Sequence, residues 1–300
     1  MMTKKFFNHV PAILALSLAG ATALAQQPRP QPEVDGIEVR PMSRWRNLQS
    51  QSEVDQQSQR QYTELLGQAQ QKGELVAATD PQVLRLRAIA KRLIPHTLRW
   101  NQEASSWKWQ VNLIDSEQVN AFCMPGGRIA FYSGILTQLT LTDDEAAVVM
   151  GHEIAHALRE HGREQAAKSS ATSIAAKLAG AGLSAWLGVD PHLTDTATDM
   201  AAKGFILSYS RQDESEADLV GLDLAARAGF DPRAGVVLWQ KMGALNKSAP
   251  PQFLSTHPSG SNRIGEMNKV MPQLLPVYAR SKGVSVAQLP AYQSAPPARR

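Results

Sequence analysis

The stretch Thr142–Gly162, TDDEAAVVMGHEIAHALREHG, limits most tightly what this chain can fold into, because its centre spells H-E-x-x-H with His152, Glu153 and His156. On a helix, residues four apart lie one turn above the other on a single face, so the two imidazoles reach one metal ion. The helix is well specified locally. Thr142 is an N-cap, Glu145 three residues on closes a capping box, and Asp143, Asp144 and Glu145 suit the positive end of the helix dipole. Gly162 is the expected stop. Ala147, Val148, Ile154, Ala155 and Leu158 supply an apolar side, which predicts a buried helix with both histidines turned inward. Glu153, beside His152 on the helical wheel, reaches a hydrolytic water without ligating the metal, which is the division of labour in a zinc hydrolase.

Whole-chain properties narrow the classes. The chain has 300 residues, of which 43% are hydrophobic, enough to bury a real core as one large domain or two small ones. The formal charge is +4 and no basic stripe stands out, so a nucleic-acid partner is not expected. Met1–Ala25 has the three parts of a secretory signal: Lys4 and Lys5, the apolar run Ile13 to Leu18, and Ala23-Leu24-Ala25 as cleavage site. Cleavage after Ala25 leaves no following cysteine, so a lipoprotein anchor is not expected and the periplasm is. Cys123 is the single cysteine, which excludes an intramolecular disulfide. It reads as a small buried hydrophobe, with a zinc-ligating thiolate as the alternative.

Four divisions are expected: a signal peptide over 1–25, a linker and polar helix over 26–79, a metal-binding domain over 80–275 and a tail over 276–300. Within the second, Gln26–Arg40 reads as a Gln- and Pro-rich linker and Ser43–Gln71 as a mostly exposed helix. Asp80-Pro81 caps a helix to about Ile94, with Val83, Leu84, Ile89, Ala90, Leu93 and Ile94 at helical spacing. Trp107, Trp109, Val111 and Leu113 alternate with polar residues as in a strand. Val119–Phe122 and Arg128–Tyr132 read as two further strands around Pro125-Gly126-Gly127, giving a small antiparallel sheet. Ile174–Val189 is too short to span a membrane and carries Lys177, so it is read as a helix over the site or on a membrane surface, with an ordinary core helix as the equal alternative. Asp213–Ala228 is a second strong helix, followed by one from Asp231-Pro232 to about Met242 and a short one over Ser261–Met271. Ala291–Arg300, rich in Pro and Ala, is expected to be disordered. The fold class is therefore α+β, predominantly α.

A catalytic zinc takes three protein ligands and keeps one position open. His152 and His156 leave one ligand to find, and Glu214 in YSRQDESEADLVG, on a downstream helix, offers it. With E-S-E-A-D at Glu214–Asp218 beside H-E-I-A-H, the chain resembles the zincin-like gluzincin metallopeptidases of the CAAX prenyl endopeptidase and HtpX heat-shock protease family. Asn120-Ala121-Phe122 with Pro125-Gly126-Gly127 upstream, and Ser255-Thr256-His257-Pro258 with Arg263-Ile264 downstream, carry the same resemblance, which covers about Asp80 to Met271. Several hydrophobic spans mark the integral-membrane members, and nothing after the signal qualifies here, so the likeness is to a soluble exported branch.

The resemblance implies one Zn2+ held by His152, His156 and Glu214, with Glu153 as general base. Asp218, one turn beyond Glu214, would orient a ligand imidazole. His257 would approach the metal, polarising a substrate carbonyl or filling the open position in a resting form, and Arg263 would steady the oxyanion or hold a substrate carbonyl. Glu216 is read as surface and His161 as a structural residue at the helix end. The strand edge at Asn120, Ala121 and Phe122, with Gly126 and Gly127 admitting a close backbone, suits an extended peptide by β-augmentation. The expected activity is hydrolysis of peptide bonds in unfolded or misassembled envelope and outer-membrane proteins. The alternative is a zinc-containing chaperone or assembly factor.

Overall fold

A computed structural model describes residues 35–170, 209–245, 253–254, 257 and 262–295. The leader pattern, most of the expected linker and the 174–189 segment lie outside these residues. The part of the linker that is described is fastened down. Asp35 pairs with Arg227 at 3.0 Å and Arg280 at 2.8 Å, and Ile37 is buried. Gly36 needs to be glycine: its φ is +95°, and a Cβ would sit 2.5 Å from the Asp223 carboxylate.

Helix α1, Gln51–Gln71, is capped by Ser50 and buries only Ser58, Tyr62 and Ala69, as its Gln-rich composition predicts. Helix α2, Pro81–Leu93, starts at Asp80, whose carboxylate accepts from the Gln82 amide at 2.7 Å. Its inward face is Val83, Leu86, Ile89, Ala90 and Leu93, whereas Leu84, expected inside, is 52% exposed.

Three short strands follow: β1 Gln110–Ile114, β2 Ala121–Met124 and β3 Arg128–Tyr132. Their order is β1-β3-β2, and the sheet is mixed, not wholly antiparallel. The β2–β3 hairpin is antiparallel, while β3 fills the slot between β2 and β1 and so runs parallel to β1. The six residues between β1 and β2 cross over that empty slot before the hairpin closes it. Period-two alternation divides the sheet's side chains between two cores. Val111, Leu113, Ala121, Cys123, Ile129 and Phe131 join the main core, while Phe122, Ala130 and Tyr132 meet α1 around Tyr62. The Tyr62 hydroxyl donates to the Ile129 carbonyl at 2.6 Å, pinning α1 to the sheet.

After a short α3, Ser133–Gln138, comes α4, Asp143–Leu158, with the Thr142–Glu145 capping box formed and every residue from Glu145 to Leu158 buried. The expected stop at Gly162 is displaced: Glu160 takes a φ of +56° and ends the helix, and residues 161–170 are helical again in a new direction. Helix α5, Arg211–Arg227, has its own capping box between Ser210 and Asp213 and ends at Gly229, whose φ is +78°. Helices α4 and α5 touch backbone to backbone. A Cβ on Gly151 would lie 2.7 Å from the Gly221 carbonyl, and one on Gly221 would lie 2.7 Å from the His152 amide nitrogen.

Helix α6, Ala234–Ala244, carries Lys241, whose ammonium is buried against Glu145 at 2.8 Å and closes the start of α4. Helix α7, Arg263–Ser281, runs ten residues past the expected end at Met271 and through Pro272 and Pro276. Each interior proline costs about 3 kcal/mol. The helix survives because Met267, Met271, Leu274, Val277 and Tyr278 bury one continuous face, each worth roughly 1.5–3 kcal/mol. Beyond α7 the chain returns to α4, where the Tyr292 hydroxyl meets Thr142 at 3.1 Å and the Ser294 hydroxyl donates to Glu145 at 2.5 Å. Among the described residues, no helix is long and apolar enough to cross a membrane.

Candidate metal centre

Because α4 and α5 meet at glycines, their side chains converge on either side of the crossing. One nitrogen or oxygen each from His152, His156, Glu214 and His257 lies within 4.8 Å of the others, and all four residues are buried. His156 Nε2 is 3.1 Å from His152 Nε2, and His257 Nδ1 is 3.2 Å from His152 Nε2 and 3.0 Å from Glu214 Oε1. Glu214 Oε1 lies 3.5 Å from His156 Nε2. His152 Nε2 faces two other ring nitrogens at once, and with a single proton or lone pair it can pair fully with only one of them. A cation among them converts facing lone pairs into coordination, and two or three imidazoles with one carboxylate suit a divalent ion such as zinc. Cys123 is buried outside this cluster, and burial pushes its thiol well up, so the thiolate alternative finds no support.

The protonation states are divided. Burial alone would lower His152, yet the carboxylates of Asp218 and Glu214 push it up to about 9. His156 is driven well below its usual value, by burial first and then by the positive charge of its neighbours. Burial works to raise Glu214, but hydrogen bonds from His152 and His257 hold it far below the ordinary carboxylate range. Glu153 is raised, chiefly by burial, and its Oε1 has no hydrogen-bond partner. A buried carboxylate of raised basicity facing a cleft is suited to taking a proton.

Asp218 lies where the i, i+4 spacing puts it, with Oδ1 3.1 Å from His152 Nδ1. Arg263 does not face the open side, as the sequence suggested. Its guanidinium grips both oxygens of Asp218 at 2.6 Å, reaches Glu214 Oε2 at 2.7 Å and stacks on the Trp239 ring at 3.6 Å. Paired with two carboxylates, it positions the Glu214 side.

Two residues read as peripheral enter the site. His161 Nδ1 is 3.1 Å from His156 Nδ1, because the break at Glu160 swings it back over α4. Glu216, read as surface, is 5% exposed and is held by Arg159 and by Arg40. Burial would raise it, but the nearby His161 imidazole and the Arg159 guanidinium keep it at about 2. Tyr209 was given no role by the sequence reading, although it begins the YSRQDESEADLVG stretch. Its ring stacks on His156 at 3.9 Å between centroids.

A cleft of about 1280 Å³ opens over the cluster, with Glu153, His156, Tyr209 and His257 at its floor. One wall is the terminal strand β2 with Asn120, and the other is α1 with its glutamines. Ala121 and Phe122 face this cleft as expected, while the Asn120 side chain caps the strand by accepting from the Ala121 amide at 3.0 Å. The fold itself requires both glycines. Both have φ of +81°; a Cβ on Gly126 would strike Arg128 and Asp55, and one on Gly127 would lie 2.7 Å from the Trp109 ring. Gly126 borders the cleft, and Gly127 lies behind it.

Comparison with known sequences adds to this geometry. The profile of Peptidase family M48 matches residues 81–271. The mitochondrial metalloendopeptidase OMA1 of Arabidopsis thaliana is 38% identical over 173 residues, covering 57% of this chain and 33% of that protein. The mitochondrial metalloendopeptidase OMA1 of Bos taurus is 31% identical over 219 residues, 69% of this chain and 40% of the relative. The beta-barrel assembly-enhancing protease of Escherichia coli is 27% identical over 221 residues, 71% of this chain and 44% of its own length. The chain thus spans less than half the length of each of these three relatives.

Proposed function

The chain belongs to peptidase family M48, and from that premise we propose that it is a zinc-dependent endopeptidase of the cell envelope that cleaves unfolded or misassembled proteins, outer-membrane proteins among them. The observation that carries this reading is the convergence of His152, His156 and Glu214 on one point, with the Glu153 carboxylate beside it in an open cleft, one oxygen making no hydrogen bond and lying 3.5 Å from His257 Nε2. We place the chain with the soluble exported relatives of the HtpX and CAAX prenyl endopeptidase group. The secretory pattern of residues 1–25 supports a periplasmic location, and the likeness to a beta-barrel assembly-enhancing protease suits outer-membrane proteins as substrates.

Zinc held by His152, His156 and Glu214 would supply an activated water and a Lewis acid for the peptide carbonyl. The work of the chain's own residues can be stated from their positions. The free edge of β2 pairs with an extended peptide main chain, which favours flexible substrates over folded ones. Glu153 takes the proton of the attacking water and returns it to the leaving amine. Asp218 and Arg263 hold His152 and Glu214 in register, so neither ligand reorganises during turnover. His257, 3.0 Å from Glu214 Oε1, would either polarise a substrate carbonyl or occupy the open position in a resting form.

The test is Glu153→Gln in the purified full chain. It is expected to keep one zinc per chain, by elemental analysis, and to lose cleavage of unfolded casein. Cleavage at the wild-type rate would rule out Glu153 as the base. Zinc retention with no cleavage by the wild-type chain would favour the chaperone alternative.

A further inference from the structure

We propose that Arg40, upstream of the family-matched residues, is a positioning residue for the metal centre, acting through Glu216 and His161 on the imidazole of His156. The inference rests on the reading of His156 as a metal ligand. With Nε2 turned into the cluster and offering its lone pair, His156 must carry its proton on Nδ1. That Nδ1 is 3.1 Å from His161 Nδ1, so His156 donates and His161 accepts. The proton of His161 is thereby fixed on Nε2, which lies 3.6 Å from Glu216 Oε1 and 3.9 Å from Asp213 Oδ1. No hydrogen bond forms at these distances, so the two carboxylates bear on the His161 ring through their charge.

Asp213 and Glu216 are like charges on neighbouring turns of α5, both buried. Arg40 bridges them, with Nε on Glu216 and Nη2 on Asp213 at 2.6 Å. Arg159 holds the other oxygen of Glu216 and donates to the Arg40 carbonyl at 2.6 Å, which ties the backbone of the 35–40 strap into the same network. Without the Arg40 guanidinium the two carboxylates lose the cation shared between them and move apart, and His161 follows. The strap itself does not depend on this contact, since Asp35 is held by Arg227 and Arg280 and Ile37 is buried. Residues that orient a metal-ligating histidine change metal affinity by roughly 10–100-fold when lost.

The experiment compares wild type, Arg40→Ala and Asp35→Asn as full chains. It measures the Zn2+ dissociation constant by competition with a chromogenic chelator, and the visible spectrum of the Co2+-substituted proteins. Arg40→Ala, acting through two intervening side chains, is expected to bind zinc about three- to tenfold more weakly and to shift the cobalt bands. Asp35→Asn, which loosens the strap at its far end, is expected to lower Tm while leaving affinity within about twofold and the spectrum unmoved. Arg40→Gln, which keeps much of the stem, replaces Arg40→Ala if the latter does not fold, with the same expectation. Unchanged affinity and spectrum in a folded Arg40 variant would overturn the proposal, as would an equal loss in Asp35→Asn or a failure of both Arg40 variants to fold. Absence of zinc binding by the wild-type chain would overturn the metal-centre reading and this inference together. Tight binding by wild type with an unaffected Arg40 variant would overturn this inference alone.

Discussion

The two imidazoles of the H-E-x-x-H helix are backed in different ways. His152 leans on Asp218, a carboxylate on the same helix as Glu214, and Arg263 clamps both carboxylates at once. His156 leans on another imidazole, His161, behind which stand Glu216 and then Arg40 and Arg159. One side is a short charged clamp built from α5 and α7, and the other is a relay assembled from the 35–40 strap, α5 and the turn after α4. The clamp concentrates its energy in a few buried charges, whereas the relay spreads it over many contacts. Loss of a single clamp member should therefore cost far more.

The largest expected effect tests that difference. Asp218→Ala leaves the buried Arg263 with one carboxylate in place of two, and is expected to cost about 4 kcal/mol in urea unfolding of the metal-free protein. A loss under about 1 kcal/mol would mean the clamp is no stronger than the relay. Next comes Gly221→Ala, which forces α4 and α5 apart and strikes both sides together. Overpacking there is expected to cost about 2–3 kcal/mol, against about 1 kcal/mol gained in helix propensity, and bound zinc should fall as well. A variant that keeps full stability and zinc would show that the crossing has room to give. His161→Leu removes the acceptor behind His156, and about a tenfold rise in the zinc dissociation constant is expected by chelator competition. An unchanged constant would leave His156 self-supporting. The smallest effect belongs to Asp55→Ala, a half-exposed partner of Arg128 on the cleft wall remote from both sides. It should change stability by under about 0.5 kcal/mol and leave zinc affinity alone.

The same contrast explains what could be read before any coordinates. The clamp is written in local spacing: His152 and His156 four apart, Glu214 and Asp218 four apart, each helix opened by a capping box at Thr142–Glu145 or Ser210–Asp213. Helical periodicity suffices to place such residues on one face. The relay depends on contacts that periodicity does not encode. Arg40 and Glu216 are 176 residues apart. His161, five residues beyond His156, would point about 140° away on an unbroken helix. It returns only because Glu160 adopts a left-handed conformation with no glycine to announce it. Arg263 was found as a site residue but given the wrong direction, since its partners Asp218 and Trp239 come from two other helices. The sheet's mixed pairing was hidden for a related reason, because strand order depends on where a connection lands and not on the composition of the strands.

Helices that meet at Gly151 and Gly221 have no layer of side chains between them on which to slide. The ligands they carry are therefore parts of one rigid jaw, unable to open by degrees. His257 alone in the cluster arrives on a segment outside both helices. A shift of His257 is therefore the change in this cluster that leaves the two-helix frame untouched.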